Sequence, residues 1–157
     1  MSKIRVGSAL VVLALMGAMV LGVVAMAQEA GAQPTPEQLE AMQQRAAELG
    51  LPEGTIQLTP CVPTMGEHWA NPAEMPLGPI YGVADGKLTF VEIMPSQEAF
   101  QSGESWIDVL QPIEGYAIDH VDFVFEEGGH EGYEVNHYDI HAYFVPHVDE
   151  AQICPAG

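Results

Sequence analysis

The chain has 157 residues, with 22 Asp and Glu against four Lys and Arg and a formal net charge of −18. A surface this acidic repels phosphate backbones and excludes nucleic acid as a partner. Beyond the apolar N-terminal segment, roughly 130 residues remain, which suits one hydrophobic core and not two.

The first predicted element is a signal peptide over residues 1–27. Lys3 and Arg5 open the chain, and Val6 to Ala27 form an apolar run broken only by Ser8. "AMA" before Gln28 is a small-x-small cleavage pattern. The alternative is a retained anchor, because the run reaches the ~20 residues that span a bilayer. Only in that case does the protein meet a membrane. No cysteine stands directly after the run, which argues against a lipoprotein. The expected location is secreted, periplasmic or otherwise extracytoplasmic. After cleavage Arg45 and Lys87 are the remaining cations. Residues 28–34 read as a flexible leader and residues 35–157 as a single α+β domain.

A helix is predicted from Thr35, an N-cap with Pro36 at the first helical position and Gln38 completing a capping box. Leu39, Met42, Ala46 and Leu49 give it one apolar face, and Gly50 and Pro52 end it. The pattern then alternates. "TIQLTP" is a short strand. "PIYGV" and "KLTFVEIM" flank "ADG" as a hairpin, since Asp-Gly favours left-handed turn conformations. "SQEAF" is a helical turn capped by Ser96. "SWIDVL", "AIDHVDFVFEE" and "YEVNHYDIHAYFV" read as further strands, with "EGGHEG" as a loop between the last two. The expected fold is α+β, an N-terminal helix followed by a mostly antiparallel, curved or barrel-like sheet.

Cys61 and Cys154 are the two cysteines. In an exported chain such a pair is expected to be bonded.

The candidate chemistry lies on the last strand. Side chains alternate faces along a strand, so His137, Asp139 and His141 share one face and Tyr138, Ile140, Ala142 and Phe144 the other. Residues two apart on a strand lie ~6.6 Å apart and residues four apart ~13 Å. With metal bonds of only ~2 Å, His137–Asp139 or Asp139–His141 is the local pair, unless a bulge gathers all three. Ligands from elsewhere are needed. His68 in "MGEHW" is one candidate. Glu92 is another, a carboxylate expected on one strand face with Leu88, Phe90 and Met94, where it is costly unless paired, protonated or metal-bound. His130 in the glycine-rich loop, and His120 beside Asp122 on one strand face, are weaker candidates. A solvated polar face is the competing reading, the default for an antiparallel sheet. No G-x-S-x-G elbow and no glycine-rich phosphate loop is present.

Together, "MGEHW", "GPIYGVADGKLTFVEIMP" and "HVDFVFEEGGHEGYEVNHYDIHAYFV" resemble a bacterial family of small exported domains of unknown function, best known from Thermus-type bacteria. The match covers roughly residues 35–145, and the His-Tyr-Asp-x-His strand is its most specific part. His68, Glu92, His137, Asp139 and His141 stand at the matching positions. Asn136 and Ala142 depart from the pattern, where a proline and a bulky aromatic are expected. The resemblance implies an α+β domain that self-associates into rings, and implies no activity.

The expected function is that of a secreted or envelope-associated domain binding a divalent transition metal or a small polar ligand through His68, Glu92, His137, Asp139 and His141. Imidazole with carboxylate suits Zn, Ni, Cu or Fe. The alternatives are a metal-dependent enzyme, hydrolase-like or oxidoreductase-like, and a homo-oligomeric envelope or stress protein without a metal site.

Overall fold

The computed structural model describes residues 33–155 except residue 112. The expected signal peptide lies outside the described residues. Among the described residues no helix is long and apolar enough to cross a membrane.

Helix α1 spans Pro36–Glu48. Its start carries the expected capping box: Thr35 Oγ1 accepts from the Gln38 N–H and the Gln38 side chain accepts from the Thr35 N–H. Two backbone donors that a helix start leaves unpaired are thereby satisfied.

The sheet has six strands, β1 Ile56–Gln57, β2 Glu67–Ala70, β3 Ile80–Ala84, β4 Lys87–Ile93, β5 His120–Glu126 and β6 His137–Tyr143. Their spatial order is β1-β2-β3-β4-β6-β5, every pairing is antiparallel, and the sheet is open, with β1 and β5 at its edges. The barrel alternative is therefore replaced by an open sheet. Asp85 and Gly86 both have positive φ, 50° and 72°, as the hairpin between β3 and β4 requires. Helix α2 spans Gln97–Ser102 with Ser96 as its cap, and a short helix α3 spans His147–Glu150.

Two sequence expectations are corrected. "SWIDVL" is not a strand: residues 105–110 are irregular, Asp108 has φ of 59°, and Ile107 is 79 % exposed. Conversely, "EHWA" forms β2, where alternation is too short to stand out. A third correction concerns Leu88. A bulge pairs Gly82 with Phe90 but Val83 with Leu88. The extra residue turns Leu88 away from the Glu92 face and into the cluster that holds Val91.

The two faces differ. On one, Trp69, Tyr81, Val83, Leu88, Val91 and Ala142 form the main core, with Ala46 and Met42 of α1 packed on them. Trp69 thus serves as core. The other face carries the histidines and acids. It is walled by the segment after β1 and by the loop between β5 and β6. Cys61 and Cys154 are disulfide-bonded, with Cα atoms 6.0 Å apart. The bond holds the first of these walls to the chain end, where the Thr64 N–H donates to the Ile153 carbonyl at 2.8 Å.

Candidate metal and ligand site

Strand β6 lies between β4 and β5, so its polar side chains are flanked on both sides. The register sets Glu92 and Asp122 opposite His141, Val124 opposite Asp139, and Glu126 opposite His137. The candidate groups of β4 and β6 are buried. His137 is 0 % exposed, Glu92 3 %, His141 4 % and Asp139 8 %. Glu92 and Asp139 line a cavity of about 570 Å³, together with His68, Glu126, His130 and Tyr133.

His137 and Asp139 form the tightest arrangement. His137 Nδ1 donates to the Val135 carbonyl at 2.7 Å. In the neutral ring Nε2 then carries only a lone pair. That atom lies 3.0 Å from Asp139 Oδ1. Yet both atoms are buried and neither has an aligned hydrogen-bond partner among the described residues. Out of line for a hydrogen bond, the contact sets two electron-pair donors against each other whenever Asp139 is ionised and the His137 ring neutral. Two ligands each ~2 Å from one ion lie about 3 Å apart. Burial, first among several causes, raises the Asp139 pKa, so an uncompensated carboxylate is disfavoured there.

His130 completes this group. One ligand atom from each of His130, His137 and Asp139 lies within 4.8 Å of the others. The His130 ring stands at 85° to that of His137, with centroids 4.9 Å apart. Its loop turns on Gly128 and Gly129, both at positive φ. A Cβ at Gly129 would collide with the backbone of Tyr133 and Val135, so glycine is needed where the loop doubles back. Tyr133 closes the group from the side, its ring 4.6 Å from that of His137.

Glu92 and His141 form a second, separate pair. Glu92 Oε1 lies 3.2 Å from His141 Nε2, again out of line for a hydrogen bond. Burial pushes the Glu92 pKa well up, with the charges of Asp139 and Glu126 adding to it. Burial, with His68 nearby, pulls His141 down to about 4. Both groups favour their neutral forms.

His68 lines the same cavity as Glu92 and Asp139, and its side-chain hydrogen bond is to Thr59. Its Nδ1 lies 2.9 Å from Thr59 Oγ1, and its backbone N–H donates to the same oxygen at 3.0 Å. Burial, then the charge of His130, lowers its pKa to about 4. The Phe90 ring packs against both His68 and His141, with centroids 5.6 and 4.9 Å away. Of the five residues singled out by sequence, the structure thus joins His137 to Asp139 and His141 to Glu92, and ties His68 to Thr59. The group of three ligands draws instead on His130. Its clue in the sequence is the run of glycines around it.

No protein-family model matches the chain, and no curated protein matches it. Among solved structures, the crystal structure of hypothetical protein TTHB210 from Thermus thermophilus is similar, at 24 % identity and a TM-score of 0.53. The likeness covers 59 % of this chain and 89 % of that one. At that identity it bears on the fold alone.

Proposed function

We propose that the protein is an exported domain that binds a divalent transition ion through His130, His137 and Asp139 and presents it to a small polar ligand in the adjoining cavity. The observation that carries this reading is the unaligned 3.0 Å contact between His137 Nε2 and Asp139 Oδ1, both buried. A cation between two donors removes their repulsion. The Val135 carbonyl supports it by fixing the His137 tautomer, as groups behind a metal-bound histidine do. Two imidazoles with one carboxylate suit Zn, Ni, Cu(II) or Fe(II). Export is supported by the disulfide, which persists in oxidising compartments, and by the pattern of residues 1–27.

Three protein donors beside a cavity also favour the second reading, a metal-dependent enzyme, which needs an open coordination position. Self-association is a further part of the proposal. Edge strand β5 exposes Val121, Phe123 and Phe125 on one side, an apolar strip beside unpaired backbone that a second copy would cover.

The test is metal analysis of tag-free protein from an exported preparation, with melting measured before and after chelation. Near-stoichiometric metal and a chelator-sensitive melting point are expected, because an ion that binds only the folded state stabilises it. Metal-free protein that regains no ion and no stability on metal addition would refute the reading.

A further inference from the structure

We infer a second transition-metal site, formed by His120 and Asp122 of β5 with His147 and Glu150 of α3, which clips the C-terminal turn to the sheet edge. It shares no residue with the first site and stands or falls without it.

His120 and Asp122 are two apart on β5 and share a face, as strand geometry dictates. His147 and Glu150 are three apart on α3, which brings their side chains together. One ligand atom from each of His120, Asp122 and His147 lies within 4.8 Å of the others. Glu150 Oε1 lies between the two rings, 3.1 Å from His120 Nε2 and 3.0 Å from His147 Nδ1. Three donors, His120, Asp122 and His147, thus converge, and Glu150, which touches both rings, is the fourth donor that a closed tetrahedral site would draw in.

The His120 ring is held in place before any ion arrives. Its Nδ1 contacts Asp119 Oδ1 at 3.0 Å. A carboxylate behind the ring is the arrangement that directs the far nitrogen towards a metal. Tyr143 stacks on the ring at 4.8 Å and 13°, and the His147 ring meets it at 84°. The far nitrogen, Nε2, is shielded from solvent and has no aligned hydrogen-bond partner among the described residues. The 3.1 Å contact with Glu150 Oε1 is the separation that two ligands of one ion, each ~2 Å from it, would have. Asp119, Asp122 and Glu150 lie at the site, and the nearest stretches of sequence hold no Lys or Arg. Borderline divalent ions, Zn(II) foremost, match two nitrogens with two oxygens.

The test titrates Zn(II) into tag-free, chelator-stripped full chain. His147 is exposed, so His147→Ala does not threaten folding. Parent protein should bind two equivalents. His147→Ala and Asp122→Asn should each weaken one equivalent at least tenfold, and Asp119→Asn should weaken the same one about 10–100-fold, as loss of a supporting partner does. Asp139→Asn should affect only the other equivalent. A parent that binds one equivalent removed by Asp139→Asn, or a second equivalent that His147→Ala and Asp122→Asn leave unchanged, overturns the proposal. Should Asp139→Asn change nothing while His147→Ala removes an equivalent, the first site falls and this one stands.

Discussion

His137 Nε2 and Asp139 Oδ1 sit 3.0 Å apart on one strand face, both buried and neither aligned for a hydrogen bond. Asp139→Asn separates the explanations of this contact. Because burial disfavours the Asp139 carboxylate, the metal-free variant should be as stable as the parent or more so. With Zn(II) present the order should reverse, the variant binding at least tenfold more weakly, about 1.4 kcal/mol. Urea unfolding with and without metal checks both halves.

Gly82 leaves room for the Phe90 ring that packs on His68 and His141. A Cβ there would run into that ring and the Thr89 hydroxyl. Gly82→Ala should cost about 1–3 kcal/mol, the range for overpacked interiors. Chemical denaturation gives the value directly.

The pH dependence of the metal-free protein has two opposed parts. His68 is held near a pKa of about 4 against an ordinary 6.5. The unfolded chain binds its proton first, so this stabilisation is complete above pH 6.5 and lost as pH falls towards 4. His141, also held at about 4, contributes in the same sense, so His68→Asn should reduce that loss without removing it. Glu92 is raised above its ordinary 4.5, so its contribution is complete below 4.5 and declines as pH rises. Glu92→Gln should therefore gain stability relative to the parent between about pH 4.5 and 7. Unfolding curves at about pH 4.5, 5.5 and 7 show both signs.

The Cys61–Cys154 bond spans a sequence separation of 93. Cys154→Ser should cost about 2–5 kcal/mol, as removal of a long-loop disulfide does. Peptide mapping without reductant should recover the pair in the parent.

Much of this fold was legible in local pattern. The Thr35–Gln38 capping box, the Asp85-Gly86 turn and the alternation of β6 each act over a few residues, and each appears as the residues imply. What was hidden depends on distant neighbours. "SWIDVL" has strand composition but no strand to pair with. The face that Leu88 takes is not written in β4 itself, because the bulge at Gly82 and Val83 arises from pairing. The candidate site divides the same way. The shared face of His137, Asp139 and His141 follows from period two. Which partner each one meets depends on the flanking strands and on a loop, and so His130 rather than His68 joins His137.

The most direct measurement is diffraction from crystals grown with Zn(II), collected above and below the zinc absorption edge. The account predicts an anomalous peak about 2 Å from both His137 Nε2 and Asp139 Oδ1, with His130 turned towards it. No peak at that position, with an ordinary in-line hydrogen bond from His137 to Asp139 in its place, would contradict it.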